Sequence, residues 1–202
     1  MKAFNLKKNI RQVCYISLFF LVSFTSTVFS QDTVRVMTYN LLNYPIDYND
    51  RNPYFQIIIE NIQPDIVVVQ EIYTPSGVTI FLNNVLNTSN SEFSKGQFID
   101  GQDTDNAIFY RNTIFNFISN KRIRTSLRDI NEFKLVHIPT NDTLLIYSVH
   151  LKGSQDYTQQ RLSEVKALRQ VTDQLPPGIN FLVVGDFNIY SSSEPAYQAL
   201  LD

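Results

Sequence analysis

Four short segments carry the side chains best suited to chemistry: Met37-Thr38-Tyr39-Asn40, Val69-Gln70-Glu71, Ser148-Val149-His150-Leu151 and Gly185-Asp186-Phe187-Asn188. Each follows a hydrophobic run and ends it with an amide, a carboxylate or an imidazole. Carboxylates and amides offer hard oxygen atoms and hydrogen bonds, and an imidazole changes charge near neutral pH. No segment is specific alone. A Gln-Glu pair after a strand is common, and Asp186 with Asn188 could simply close an Asx-turn at a strand exit. Gly185 permits a tight exit, so both polar groups of its segment could face one pocket.

The elements that must hold these groups alternate between strand and helix. Residues 33–39 alternate Val34, Val36 and Thr38 against Arg35, Met37 and Tyr39, which predicts a strand. Residues 53–62 place Tyr54, Ile57, Ile58 and Asn61 at helical spacing behind Pro53, and Pro64 ends that helix. The β-branched run 65–70 reads as a strand buried on both faces. A second helix is expected over 75–86, then four strands at 106–110, 113–119, 133–139 and 143–150. Residues 158–174 make the clearest helix, with Leu162, Val165, Leu168 and Val171 on one face and charges opposite. Pro176-Pro177-Gly178 stops it before a last buried strand at 181–184. Such a chain is mixed α/β, with sheets covered by helices. A sheet of this kind can hold a polar side chain at its rim while the backbone leaves the core.

The 202 residues hold 17 Lys+Arg and 19 Asp+Glu, and 44% are hydrophobic, the make-up of a globular protein rather than a disordered or fibrous one. Charge is unevenly spread. Lys2, Lys7, Lys8 and Arg11 precede the first acid, Asp32, so residues 31–202 carry 13 basic and 19 acidic groups. A body with a net charge of −6 is no general electrostatic glue for nucleic acid. A phosphate substrate would need a local basic patch or a bound cation.

The basic start leads into an apolar run at residues 13–24, then small residues up to Ser30 and a polar Gln31. That order describes a signal peptide over residues 1–30, cleaved near Ser30, and a secreted or periplasmic protein. The run is too short for a membrane anchor, which needs about 20 apolar residues. Cys14 is the only cysteine and falls inside this segment. The mature chain therefore has no thiol for a disulfide, a zinc-thiolate site or a nucleophile.

Asn, Glu, His and Asp-x-Asn, in that order and each at a strand end, resemble the endonuclease/exonuclease/phosphatase superfamily, which includes deoxyribonuclease I and neutral sphingomyelinases. The resemblance runs from about residue 33 to residue 201, with softer echoes at 106–111 and 193–200. It implies a four-layered α/β sandwich, two mixed β-sheets packed face to face with helices outside. It also implies a Mg²⁺- (or Mn²⁺-) dependent phosphoesterase acting on phosphodiesters or phosphomonoesters, as a monomer, with nucleic acid one candidate substrate. On this reading Glu71 is the main metal ligand with Asn40 beside it. Asp186 orients and helps deprotonate the attacking water, Asn188 holds a non-bridging phosphate oxygen, and His150 stabilises or protonates the leaving oxygen. Lys152, Asn106 and Arg111 are further candidates for substrate binding. His137 matches no motif and is read as structural. The Ser-Asp-His-like segment that ends the pattern does not occur before Asp202, so the resemblance implies a domain over residues 31–202 that lacks its last strands and is impaired as written.

Substrate choice is less legible. Lys121-Arg122-Ile123-Arg124, with Arg128 beyond, could track a phosphate backbone, or could be a solvated strand face balanced by Asp129 and Glu132. Tyr44, Tyr48, Tyr54 and Phe55 could serve a lipid phosphodiesterase of sphingomyelinase type, but they sit in a loop rich in Asp and Asn. Phe187, where inositol phosphatases commonly carry Leu, disfavours that branch. A non-catalytic binding module of the same fold within a longer secreted protein stays open.

Overall fold

The computed structural model describes residues 33–46, 50–89 and 92–202; the expected signal peptide lies outside the described residues. Strands β1 (Val36–Tyr44), β2 (Ile66–Ile72), β3 (Phe93–Lys95) and β4 (Asp105–Arg111) form one sheet in the order β1-β2-β4-β3. Strands β5 (Phe115–Ile123), β6 (Ile130–His137), β7 (Thr143–His150) and β8 (Asn180–Asp186) form the second, in sequence order. Both sheets are mixed: β1 runs parallel to β2 and β7 to β8, while every other pair is antiparallel.

Strand periodicity sorts the core into layers. Ile66 and Val68 of β2 and Ile108 of β4 meet Phe115, Phe133, Leu135 and Ile146 of the second sheet. The alternate residues Val67 and Val69 point the other way, toward Phe55 and Ile59 of α1 (Asn52–Ile62) and Val78 and Phe81 of α2 (Pro75–Phe81). Leu145, Tyr147 and Val149 of β7 face Val165 and Leu168 of α3 (Thr158–Thr172) and Ala196 of α4 (Pro195–Leu201). The result is helix, sheet, sheet, helix, the four-layered sandwich expected. Ile66, Val67, Val68, Val69 and Ile72 are all fully buried, and each such side chain contributes about 1.5–3 kcal/mol. β2 is the strand that both layers share.

Local signals explain most boundaries. Pro53 opens α1, and Gln63 closes it in the left-handed region at φ 49°, its N–H bonded to Ile59 O, before Pro64 forbids continuation. Thr74 caps α2 by accepting from Gly77 N at 3.1 Å, and the helix runs on as a π turn over Leu82–Leu86. Two helix faces differ from expectation. In α1 the buried residues are Phe55 and Ile59, whereas Tyr54 and Ile57 are exposed; the ring of Phe55 packs among Tyr39, Tyr44 and Phe81 and sets the rotation. In α3, Arg161 and Glu164 are buried with Val165 and Leu168, so charge lies on the inward face too. Two short elements carried no sequence signal strong enough to predict: β3, three residues long, and α4, seven. Among the described residues no helix is long and apolar enough to cross a membrane.

Candidate active site

Both parallel pairs end at one rim. In β1–β2 the register pairs Asn40 with Gln70, and in β7–β8 it pairs His150 with Asp186. Parallel strands finish on the same side, so the polar residues that end four hydrophobic runs converge although 146 positions separate Asn40 from Asp186. Ligands of open α/β sheets are commonly met there, beyond the carboxyl ends of strands.

Glu71 is turned into the site by a bulge. Pairing slips between Asn40 and Tyr44 on the β1 side and between Val69 and Ile72 on the β4 side, and Glu71 lies inside both slips at φ 62°. A left-handed conformation is uncommon for a residue with a Cβ, and such strain gathers at functional sites. Leu42, Asn43 and Asn188 share it, at φ 49°, 58° and 49°. The Glu71 carboxylate is held from two sides: Asn43 N donates to Oε2 at 3.0 Å and Asn40 Nδ2 to Oε1 at 2.9 Å.

Asn40 ties the two sheets together, because its Nδ2 also donates to Asp186 Oδ2 at 3.0 Å. His150 Nε2 stands 3.7 Å from Glu71 Oε1 and 3.9 Å from Asp186 Oδ2. Asp186 Oδ1 accepts from Asn188 N at 3.1 Å, the Asx-turn anticipated for a strand exit. Asn188 Nδ2 donates to Leu151 O at 3.0 Å, which leaves its second N–H for another acceptor. Asn40, Glu71, His150 and Asp186 thus form one constellation, with Asn188 at its margin.

Arg128 completes it; the sequence offered this residue only as the far member of a basic run, with no link to His150. It lies in the turn before β6, yet its Nη1 is 3.0 Å from His150 Nε2 and 3.2 Å from Nδ1, and Nη2 donates to Leu151 O at 3.3 Å. Burial first, then this guanidinium, hold the His150 pKa below its ordinary value, against the opposing pull of Asp186, Glu71 and Asp103. The imidazole is therefore largely neutral at pH 7, and Arg128 donates to a ring nitrogen that carries no proton. Arg128 also borders a polar cavity of about 130 Å³ lined by Asp103, Thr104, Asp105 and Asp129.

The other substrate-binding candidates stand differently. Arg111 does not reach the rim: antiparallel β4 carries it to the opposite end of the sheet, where it pairs with Glu92 and Asp65. Asn106 is near the site but buried beneath it, where its Nδ2 donates to Asn131 Oδ1 at 3.0 Å and bridges the two sheets. Lys152 follows His150 closely, yet its Nζ lies 4.5 Å from the Tyr157 ring centroid, held by a cation–π contact. His137 bonds Thr140 Oγ1 and packs on Phe115, a structural setting. In the basic run, Lys121 pairs with Glu132 and Arg122 with Asp129, the balanced strand face rather than a free phosphate track.

The donor set bears on a metal. Two carboxylates joined through one amide on a partly exposed rim fit Mg²⁺, which keeps several waters and takes one or two carboxylates. A half-turn of the Asn40 amide would present Oδ1 there instead of Nδ2, at the cost of the bond from Leu42 N. Among the described residues no group of three or more His, Cys, Asp or Glu is placed to cage an ion.

Comparison with known proteins agrees with this fold. The profile of the Endonuclease/Exonuclease/phosphatase family matches residues 37–200, and the chain belongs to that family. No curated protein matches. Among solved structures, D. rerio TDP2 complexed with single strand DNA product is 17% identical with a TM-score of 0.62, covering 79% of this chain and 62% of that one. The human Nocturnin catalytic domain with bound sulfate anion is 19% identical with a TM-score of 0.62, covering 82% and 68%. A Bacteroides thetaiotaomicron mannosyl-6-phosphatase is 17% identical with a TM-score of 0.64, covering 84% and 70%. At such identities the likeness shows the fold. The chain spans less than two thirds of the TDP2 chain it matches.

Proposed function

We propose that this family member hydrolyses phosphoester bonds with a divalent cation, most simply Mg²⁺ with Mn²⁺ as substitute, held by Glu71 and Asn40. The observation that carries the reading is the Asn40 amide, which joins the carboxylates of Glu71 and Asp186 across two sheets beside a buried imidazole. When bound, the cation offsets negative charge on the phosphate and on the departing oxygen. Asp186, the more exposed carboxylate, orients a water and takes its proton. The free N–H of Asn188 holds a non-bridging oxygen. His150, neutral and anchored by Arg128, donates its remaining N–H to the leaving oxygen. Arg128 adds fixed positive charge where the phosphate would lie.

The same proposal includes export, which rests on the basic and apolar segments of residues 1–30. It favours a small or single-stranded phosphoester over duplex DNA, because two cations of the basic run are already spent in ion pairs. The D. rerio TDP2 complex with a single strand DNA product and the Bacteroides thetaiotaomicron mannosyl-6-phosphatase make nucleic acid and sugar phosphate the two classes to try. The test is release of p-nitrophenol from bis(p-nitrophenyl) phosphate and from p-nitrophenyl phosphate by the purified protein. Turnover that needs Mg²⁺ or Mn²⁺ and stops with EDTA is expected. Binding of the ester by folded protein without turnover would instead favour a non-catalytic binding module.

A further inference from the structure

Arg161 stands outside this constellation, yet it is the largest fully buried side chain described, at 0% exposure. A guanidinium has five N–H donors, and all five are used. Nε donates to Glu194 Oε2 at 2.9 Å and Nη2 to Glu194 Oε1 at 3.1 Å. Nη1 donates to Lys152 O at 2.8 Å and to Ser154 O at 2.7 Å, and Nη2 also to Gln155 O at 3.3 Å. One side chain thus grips the loop that leaves β7 just after His150. It grips equally the segment that leaves β8 just after Asp186 and Asn188, since Glu194 Oε1 accepts from Tyr190 N at 2.9 Å. Tyr190 closes the circuit, because its ring lies 5.2 Å from the guanidinium carbon and its hydroxyl accepts from Ser154 N at 3.1 Å.

Stability alone does not account for such a pair. Burying two charges costs several kcal/mol per ion in desolvation, and an apolar replacement of both partners is often neutral or better. What an apolar pair cannot reproduce is the direction of five hydrogen bonds. We infer that Arg161 and Glu194 form a positioning pair, which fixes the loops after His150 and after Asp186 relative to one another and so holds Asn188 and the His150 imidazole in working geometry. Glu71 and Asn40 belong to the other sheet and keep anchors of their own there, Glu71 Oε2 accepting from Asn43 N at 3.0 Å and Asn40 Oδ1 from Leu42 N at 2.9 Å.

The kinetic part of the test rests on the proposed hydrolysis, and a second readout does not. In Arg161→Met/Glu194→Met the charges leave together, so the domain should fold. For bis(p-nitrophenyl) phosphate, kcat should fall by about tenfold to a hundredfold, the scale of an ångström-sized misplacement. The Mg²⁺ concentration for half-maximal rate should stay unchanged. The chain has two histidines, His137 and His150, at opposite ends of the second sheet. The His150 ring signals in an NMR spectrum should therefore move while those of His137 stay, and the amides of Ser154 and Tyr190 should lose exchange protection. Wild-type kcat with an unmoved His150 signal would overturn the inference. If the double variant fails to fold, Glu194→Gln, an isostere that keeps one acceptor, decides: a severalfold loss in kcat at native stability supports the pair, and unchanged kcat overturns it. If the wild-type protein hydrolyses neither ester, the functional reading fails by itself, and the His150 signal still decides the positioning role.

Discussion

Gly185→Ala tests how the second sheet holds the site. Gly185 pairs with Val149 in the β7–β8 ladder, one position before the His150–Asp186 pair, and its φ is 131°. A Cβ added there would lie 2.0 Å from Val149 O and 2.9 Å from Val149 N, both backbone atoms that cannot swing aside. An ordinary contact begins near 3.4 Å, so β8 must retreat from β7 by about an ångström or more. The backbone conformation costs about 1–3 kcal/mol and the overpacking a similar amount. Together these give a loss of about 2–6 kcal/mol, from a domain whose total stability is about 5–15 kcal/mol. Urea unfolding followed by tyrosine fluorescence measures this directly, as the chain has 11 Tyr and no Trp. Gly178→Ala is the control: its φ is 86° but nothing lies within 4 Å of the added carbon, so it should lose only the conformational cost. Equal midpoints for the two variants would refute the steric reasoning. So would wild-type turnover per folded molecule in Gly185→Ala, because the 3.9 Å spacing of His150 and Asp186 depends on that ladder.

Glu71→Gln keeps one acceptor for Asn40 or Asn43 and should fold normally, yet require more Mg²⁺ and lose most turnover; an unchanged Mg²⁺ titration of the rate would count against Glu71 as a ligand. His150→Ala and Asp186→Ala should each lower kcat by about 10²–10⁴ with little change in Tm, and the double variant should be no worse than the poorer single one, since each alone already disables the step. Near-normal rates with a large fall in Tm would mean that these residues only cap strands. Asp105 offers a pH test that reads stability rather than turnover. Burial pushes its carboxyl up to about 6, only partly offset by the bond from Gly101 N. An acid with a raised folded pKa loses stability as pH climbs from its ordinary 3.8 through about 6. Asp105→Asn should therefore raise stability by about 1 kcal/mol at pH 7.5, after allowance for solvent screening, and by nothing at pH 4. Equal Tm gains at both pH values, measured by circular dichroism, would contradict that origin.

Where the sequence was legible, one physical preference dominated. The run Ile66–Val69 could only be a strand buried on both faces, and it is. The order of polar residues at strand ends was equally legible, because strand ends follow from where apolar runs stop. Side-chain destinations were harder. Arg111 and Asn106 share one strand, but direction sends one to the far end of the sheet and pleat sends the other inside. Arg128 sat in a basic run whose neighbours pair with nearby acids, and nothing local distinguishes it from them. Its partner, His150, is 22 positions away and reached only through the β6–β7 hairpin. In α3 the apolar face was read correctly at Val165 and Leu168, while Arg161 and Glu164 looked like solvent-facing charges. They are inside because each answers backbone groups of the loop after β7, Glu164 by accepting from Lys152 N at 2.9 Å. A demand of that kind is set by tertiary structure and leaves no periodicity behind.

The strained backbone leads to the same rim. Seven described non-glycine residues have positive φ, and four of them, Leu42, Asn43, Glu71 and Asn188, border the constellation. Each costs free energy that a plain strand end would not incur. Gln63, by contrast, does an ordinary job in closing α1. Glu71 is the informative case. A regular β2 would alternate Gln70 and Glu71 to opposite faces; Gln70 does turn inward, donating to Ser148 Oγ at 3.3 Å between the sheets. The regular position of Glu71 would then be the helix-covered outer face of Val67 and Val69. The double slip in register removes it from that face and delivers its carboxylate to Asn40 and His150. A carboxylate needed only for solubility gains nothing from such a detour, whereas at position 71 the slip is what lets a carboxylate meet residues of the second sheet.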